Sequence, residues 1–228
     1  MICLVKKDEF KTVFLVRHGQ SLDNTQPIFQ SIHSPLSEHG HMQAKAIAER
    51  LRHVEFDALI SSPLQRAKQT AEHIAEATGK TAELSDLFVE RKKPDAVDGK
   101  PYADPEAANA WKTWHLALYE TGPAKGDSEH TDGGETYDQL ITRTDSALKY
   151  LLDRPESSIV VVTHGYFLRT ILARVLTGKE LNGTLLRRFQ EHAGVANTGV
   201  TVLRYKDAFE EDFAWRLWTY NDHTHFAE

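Results

Sequence analysis

The stretch SIVVVTHGYFLRTILARVL, residues 158–176, sets the fold class of the chain. Residues 158–163 form a continuous β-branched run without polar alternation, which is typical of a strand covered on both faces. Residues 166–176 follow as an apolar helical segment that ends before Gly178. A buried strand followed directly by a helix is half of a βαβ unit, and it predicts an α/β fold.

Similar elements occur along the rest of the chain. Further strands are predicted at 12–16, 57–61, 200–205 and 213–218, the last as a hairpin partner or sheet edge. Amphipathic helices are predicted at 36–52, at 64–78 with Gly79 as the cap, and at 135–152. Alternating strands and helices imply right-handed crossovers, so we expect a three-layer α/β/α sandwich with a mostly parallel central sheet.

Residues 91–134 depart from this alternation. The segment contains four prolines and one predicted helix, 106–119, which carries Trp111 and Trp114. We expect a small inserted cap over one end of the sheet within a single domain spanning 1–228. Two interpretations stay open, a packed surface excursion and a lid that shapes a substrate site.

The composition argues against several classes of binding partner. The chain of 228 residues has a formal net charge of −6 and a pI near 6.1, which argue against nucleic acid and against anionic membranes. No run approaches the roughly 18 apolar residues of a membrane span. The single cysteine, Cys3, excludes an intramolecular disulfide. We expect a cytoplasmic protein, and the sequence leaves its oligomeric state open.

Charged and imidazole side chains follow three of the predicted strands. Arg17 and His18 follow the first strand, Arg66 lies in the helix after the second, and His164 follows 158–163. Ligands of such sheets bind beyond the carboxyl ends of the strands, so these side chains are predicted to meet there. We also expect Gly19 and the glycine after His164 to let backbone N–H groups approach the ligand.

The chemistry of this set is that of phosphoryl transfer. Arginine forks match phosphate oxygens, and a neutral imidazole is a competent nucleophile near pH 7. No Walker-type loop and no carboxylate cluster for magnesium is present in the sequence, so we expect neither a metal nor a cofactor. The expected partner is a small phosphorylated substrate.

Five motifs in order resemble the histidine phosphatase superfamily, also called phosphoglycerate-mutase-like. They are VRHGQSLDN (16–24), PLSEHGHMQA (35–44), SSPLQRAKQTA (61–71), GGETYDQ (133–139) and VVTHG (161–165). The resemblance implies that His18 attacks phosphorus and that His164 is the second histidine of the pocket. It further implies phosphate contacts by the following residues: Arg17, Arg66 and Asn24.

By the same resemblance, Glu90 occupies the place of the general acid. Members of the family commonly carry a stretch with glycine and tryptophan after this glutamate, whereas here the sequence continues RKKPD (91–95). Alternative acids are Glu83, Asp86 and Asp95. Glu135 is also an alternative, although a carboxylate that opens a helix is more typically a dipole or capping partner.

The resemblance leaves three functions open. We favour a metal-independent phosphatase that works through a phosphohistidine at His18. A phosphoglycerate-type mutase is the alternative, but it would require further arginines in the insertion, which has only Arg91. A non-catalytic module that binds phosphorylated ligands is the third. The basic run 91–93 is interpreted as a solvated turn rather than as an attractant for an anionic substrate.

Overall fold

The computed structural model describes residues 10–120, 133–206 and 215–226 of the chain. Within them one sheet has six strands in the spatial order β3-β2-β4-β1-β5-β6. The strands are β1 (Lys11–Arg17), β2 (Ala58–Ser61), β3 (Ala82–Leu84), β4 (Ser158–Thr163), β5 (Val200–Tyr205) and β6 (Trp215–Asp222).

The sheet is parallel on one side and antiparallel at the other edge. β1, β4, β2 and β3 pair in parallel, whereas β5 runs antiparallel to β1, and β6 antiparallel to β5. The expected mixed α/β fold with a mostly parallel sheet is therefore confirmed, with an antiparallel pair added at one edge.

Helices cover both faces of the sheet. They are α1 (Glu38–Leu51), α2 (Gln65–Thr78), α3 (Pro105–Glu120), α4 (Tyr137–Asp153), α5 (Gly165–Thr177) and α6 (Gly183–His192). Val160 and Val162 of β4 pack in the cluster formed with α1 and α2. Ile159 and Val161 pack in the cluster formed with α4 and α5. Successive residues of a strand point to opposite faces, so β4 packs against the helices of both outer layers. This packing explains why its apolar run is uninterrupted.

Local capping sets the ends of the helices. α1 begins after Ser37, whose side chain accepts from the N–H of Gly40. α4 begins at Tyr137 rather than at 135, because Thr136 and Gln139 form a capping box. α2 ends at Gly79 in the left-handed region (φ 70°), as the sequence predicted.

Two elements, β3 and α6, are not predicted from the sequence. β3 has three residues, two of them exposed, and so shows no apolar run. α6 buries only Gly183 and Leu186, and its start depends on the Asn182 side chain, which accepts from the N–H of Leu185. The strand predicted at 213–218 is described from 215 and extends to 222, paired with β5 as a hairpin partner and sheet edge. Its first two residues lie outside the described part.

The predicted insertion is partly described. Asp95–Val97 forms a 3-10 turn and α3 follows it, which confirms a helix over 106–119. Val97 and Ala107 pack with Phe29 in a small separate cluster, and α3 also packs on α6. Residues 121–132 of the insertion lie outside the described residues, as does Cys3.

No helix within 10–120, 133–206 and 215–226 combines the length and apolarity that crossing a bilayer requires.

Candidate active site

The parallel pairing of β1 and β4 brings the two predicted histidines together. Arg17 and Thr163 are the last paired residues of β1 and β4. His18 and His164 are the next residues of the two strands, so both lie at the same edge of the sheet. Their ring centroids are 5.0 Å apart, and both side chains are buried. The N–H of His18 donates to the Thr163 carbonyl at 2.9 Å, which ties the two strand ends directly.

The hydrogen bonds of His18 determine its tautomer. Nδ1 lies 2.6 Å from the carbonyl oxygen of Gly19, which can only accept, so Nδ1 carries the proton. Nε2 lies 3.3 Å from Nε of Arg66, which can only donate, so Nε2 carries the lone pair. Burial, together with the charges of Arg66 and Arg17, holds the pKa of His18 well below its usual 6.5. His18 is therefore a neutral imidazole whose lone pair is on Nε2.

Gly19 has a different role from the one expected from the sequence. Its N–H donates to Oγ1 of Thr70 at 3.1 Å, so it is occupied by the protein. A Cβ on Gly19 would lie 2.5 Å from the carbonyl oxygen of Gly40 at the start of α1. Gly19 thus permits close packing that fixes the His18 loop. Its own N–H is thus not available to a ligand, and the expectation that glycines beside the histidines let backbone N–H groups approach a ligand stays a prediction.

Two arginines flank His18, of which Arg66 is buried and Arg17 is half-buried. Arg17 donates from Nη1 to the carbonyl of Val195 at 2.5 Å, while its buried Nε has no partner. Arg66, in the first turn of α2, is 2% exposed and donates from Nη1 to the carbonyl of Ser31 at 3.0 Å. Within the described residues neither guanidinium forms an ion pair. One buried and one half-buried positive charge without carboxylate partners favour binding of an anion.

Burial also lowers the pKa of both guanidiniums, that of Arg66 to about 10. Arg66 therefore remains charged at neutral pH.

His164 is held by Ser62, which the sequence analysis did not single out. Nε2 of His164 lies 2.7 Å from Oγ of Ser62, at the carboxyl end of β2. Nδ1 of His164 is buried without a partner. Burial, then the charge of Arg66, holds the pKa of His164 well below 6.5, so this ring is neutral as well. The buried serine after a strand was visible in the sequence, but nothing there indicated which side chain it contacts.

Glu90 is placed at the beginning of α5. Its Oε1 accepts from the N–H groups of Arg91 and Phe167, both at 3.0 Å. Its Oε2 accepts from the N–H of Tyr166 at 3.2 Å. These backbone donors hold the carboxyl group at the cavity that His18 also lines.

The alternative acids lie elsewhere. Glu83 bonds with Tyr150 and Arg154, and Asp86 is exposed. Glu135 forms two bonds of 2.7 Å with Arg143, so it serves an ion pair rather than a cap. Asp95 lines a smaller adjacent cavity. Of the five carboxylates considered, Glu90 alone lines the cavity that His18 lines.

Asn24 is not brought to this cavity. Its side chain is exposed, and its amide oxygen accepts from the N–H of Ser21 at 3.1 Å in a local capping box. Asn24 therefore stabilises the turn after His18, and its expected contact with phosphate stays a prediction.

The cavity beside His18, hereafter the site cavity, has a volume of about 710 Å³. Its apolar wall comes largely from Trp111 and Trp114 of α3 together with Phe29 and Tyr102. Its cationic lining includes three residues for which the sequence offered no role in the site: Arg91, Lys93 and Arg169.

The basic run 91–93 is not the solvated turn expected from the sequence. Arg91 is 4% exposed, and the ammonium of Lys93 donates to the carbonyl of Gln30. Only Lys92 is exposed. The charge pattern of a short run does not reveal burial, because burial depends here on α3 folding over it.

The neutral state of the two histidines predicts an acid-sensitive fold. The unfolded chain binds protons at His18 and His164 near pH 6.5, whereas the folded chain does not, since burial lowers both pKa values. The free energy of unfolding should therefore fall as pH drops below about 6.5, by up to about 1.4 kcal/mol per pH unit for each histidine.

Urea denaturation of the wild type and of His164→Asn at pH 7 and pH 5.5 measures this slope. Between pH 7 and pH 5.5, the free energy of unfolding should fall less in the variant than in the wild type. His53→Ala, which removes a side chain that is 70% exposed, should keep the wild-type slope. Equal slopes for the wild type and His164→Asn would contradict a buried neutral ring.

Comparison with known proteins agrees with this geometry. The family model of the histidine phosphatase superfamily (branch 1) matches residues 13–221. The chain is 34% identical over 188 residues to the metal-independent phosphoserine phosphatase of Arabidopsis thaliana, covering 78% of this chain and 76% of that protein. It is 28% identical over 228 residues to the phosphoglycerate mutase-like protein 4 of the same plant, covering 96% and 89%.

A solved structure is similar over nearly its whole length. The mycobacterial glucosyl-3-phosphoglycerate phosphatase superposes with a TM-score of 0.67 at 25% identity, covering 92% of this chain and 99% of that one. With the family model matched over most of the described residues and both histidines at one sheet edge, the chain belongs to the histidine phosphatase superfamily.

Proposed function

We propose that this chain is a metal-independent phosphatase that hydrolyses a phosphomonoester through a covalent phosphohistidine at His18. The observation that carries the proposal is the tautomer of His18, whose neutral Nε2 lies beside the unpaired guanidinium of Arg66. Such an arrangement supplies a nucleophile and an anion-binding charge at one point.

In the first step, Nε2 of His18 attacks phosphorus and the bond from phosphorus to the ester oxygen breaks. Arg17 and Arg66 bind the phosphoryl oxygens and stabilise the charge that spreads over them. Protonated Glu90 gives its proton to the leaving oxygen, so the products are an alcohol and N-phosphohistidine. Neutral His164 donates a hydrogen bond to a phosphoryl oxygen.

In the second step, the carboxylate of Glu90 takes a proton from water while the water oxygen attacks phosphorus. The bond from Nε2 to phosphorus breaks, inorganic phosphate forms, and Glu90 is protonated again for the next cycle. The arginines supply the positive charge that a metal supplies in other phosphoryl-transfer sites.

Two further parts of the proposal concern the surroundings of the site. We assign residues 91–134 as a cap on a single domain, supported by the walls that α3 contributes to the site cavity. The substrate is proposed to be small, as relatives named for phosphoserine and glucosyl-3-phosphoglycerate suggest. The cytoplasmic location stays a prediction of the sequence.

A phosphoglycerate-type mutase is the second candidate. It is favoured by the cationic lining beyond the two arginines of the phosphate site, because a mutase must hold an anionic acceptor. The module that only binds phosphorylated ligands is disfavoured, since binding alone does not require a neutral nucleophilic nitrogen.

The test is hydrolysis of 4-nitrophenyl phosphate with EDTA present, followed by an acid and a base quench of enzyme labelled from a ³²P substrate. We expect release of phosphate that EDTA does not reduce, and protein label that is lost in acid and kept in base. Label that survives acid would exclude phosphohistidine. Isomerisation of 3-phosphoglycerate in the presence of its bisphosphate, without free phosphate, would identify a mutase instead.

A further inference from the structure

The peptide unit that joins His18 to Gly19 is hydrogen-bonded on both sides. Its N–H, from Gly19, donates to Oγ1 of Thr70 on α2 at 3.1 Å. Its carbonyl, from His18, accepts from Nδ2 of Asn197 at 2.9 Å. Because a peptide unit is planar, contacts to its N–H and its carbonyl from two separate segments fix its orientation. The side chains of Thr70 and Asn197 therefore set the direction in which the chain leaves His18.

The direction of the chain after His18 decides the state of its ring. Nδ1 of His18 donates to the carbonyl of Gly19 at 2.6 Å, and this bond keeps the proton on Nδ1. That carbonyl belongs to the next peptide unit, so rotation of the His18–Gly19 peptide would move it away from Nδ1. The amide of Asn197 thus acts on the ring of His18 through the backbone.

Asn197 lies in a strap, defined here as residues 194–199, between α6 and β5. Thr198 in this strap has a φ of 57°, in the left-handed region that β-branched residues rarely adopt. Such a conformation persists only where surrounding contacts hold it. The N–H of Thr198 donates to the carbonyl of Arg17 at 2.9 Å. Its Oγ1 donates to the carbonyl of Asn197 and accepts from Nε2 of His225 at 3.1 Å. The strap therefore has a fixed shape where it meets the end of β1.

Contacts from β6 and from Arg17 hold the rest of the strap. Asn221 of β6 also has a positive φ, 49°, and its Oδ1 accepts from the N–H of Ala196 at 2.8 Å. A Cβ on Gly199 would lie 2.2 Å from the same oxygen, so this position requires glycine. Nη1 of Arg17 donates to the carbonyl of Val195. The strap is thus held from two strands, and Asn197 is presented to His18 from a rigid support.

Asn197 does not line the site cavity, although Val195 of the same strap does. Its side chain is half-buried, and its amide contacts the backbone of His18 instead. We propose that Asn197 is the positioning residue of the nucleophile. By holding the carbonyl of His18, it keeps Nδ1 bonded to Gly19 and Nε2 directed to Arg66, where the phosphoryl group binds. This inference rests on the proposed phosphatase function and adds a residue to its machinery.

Two variants at this position test the role. Asn197→Ala removes the donor, and Asn197→Leu removes it while keeping nearly the same side-chain volume. Both should lower kcat for 4-nitrophenyl phosphate by about 10- to 100-fold, because a small displacement of a reacting group has effects of this size. The Ki of inorganic phosphate should stay within about twofold of the wild-type value, since both arginines of the phosphate site remain.

Two kinetic outcomes would overturn the inference. A wild-type kcat in Asn197→Leu would show that volume rather than the hydrogen bond matters. A Ki of phosphate that rises by the factor by which kcat falls would make Asn197 a ligand of phosphate instead of a positioning residue.

Asn182→Ala is the matched control. It also removes one asparagine hydrogen bond, from Oδ1 to the N–H of Leu185 at the start of α6. Loss of this helix cap should lower the melting temperature but leave kcat and Ki unchanged. If Asn182→Ala lowers kcat as much as Asn197→Ala does, kcat follows stability in general and the role assigned to Asn197 is wrong.

Amide hydrogen exchange of the ligand-free protein separates this inference from the proposed function. Asn197→Ala should speed exchange of the Gly19 N–H by about 2- to 10-fold, since loss of one hydrogen bond eases local opening. Asn182→Ala should speed exchange at Leu185 and not at Gly19. Faster exchange at Gly19 in a protein without phosphatase activity would keep Asn197 as the residue that positions His18 and overturn the phosphatase. Unchanged exchange and unchanged kcat in an active enzyme would keep the phosphatase and overturn the positioning role.

Discussion

His18→Ala is expected to lower kcat for 4-nitrophenyl phosphate by at least about 10⁴-fold, since removal of an enzyme nucleophile has effects of this size. The reason is geometric. Nε2 of His18 carries a lone pair that is directed to the guanidinium of Arg66. In the second histidine of the site, His164, Nε2 is hydrogen-bonded to Ser62. His164 therefore has no free Nε2 with which to replace the lost nucleophile. Steady-state phosphate release and acid-labile protein label should disappear together.

The control is His53→Ala, because His53 is an exposed histidine after α1. Its activity and label should equal those of the wild type. A thermal melt of His18→Ala with and without phosphate checks that the fold and the two arginines are retained, since a ligand that binds only the folded state raises the melting temperature. Turnover that persists in His18→Ala with an intact fold would eliminate the covalent mechanism.

Glu90→Gln is expected to show the second-largest effect, and the effect should depend on the leaving group. General acid catalysis contributes about 10²- to 10⁴-fold, so kcat/KM for an alkyl phosphate should fall by that amount. 4-Nitrophenolate leaves without a proton, so phosphorylation of His18 by its ester should be nearly unaffected. Glutamine keeps the size of the side chain, and its one amide oxygen can still accept from the N–H groups of Arg91 and Phe167, while the bond from the N–H of Tyr166 is lost. A burst of 4-nitrophenol followed by slow turnover should appear, because dephosphorylation still needs the base.

Asp95→Asn is the matched comparison for Glu90→Gln. Asp95 is an alternative acid that the sequence left open, and it lines only the smaller adjacent cavity. Its loss should produce no difference between alkyl and nitrophenyl esters. If Asp95→Asn shows the leaving-group dependence and Glu90→Gln does not, the roles of the two carboxylates are reversed.

The central part of the site was predictable because it follows from strand order alone. His18 and His164 come directly after β1 and β4, and parallel neighbours end at the same edge. The apolar runs that identify these strands are continuous because helices cover both faces. Hence two imidazoles 5.0 Å apart could be expected from residues separated by most of the chain.

The short and exposed elements were not predictable in the same way. β3 and α6 bury too few side chains for their hydrophobic pattern to show. Asn24 matches a motif position, yet its amide is used in a capping box, because a local bond to Ser21 needs no tertiary partner.

The sequence by itself determined the α/β class and the edge of the sheet where Arg17, His18 and His164 meet, because periodicity and strand ends are local properties. Only the tertiary structure decided that Arg91 is buried on Trp114, that Ser62 holds His164, and that Gly19 packs against α1. Those facts depend on which segments close over one another. Burial of a charge is a property of the assembled layers, and no pattern along the chain records it.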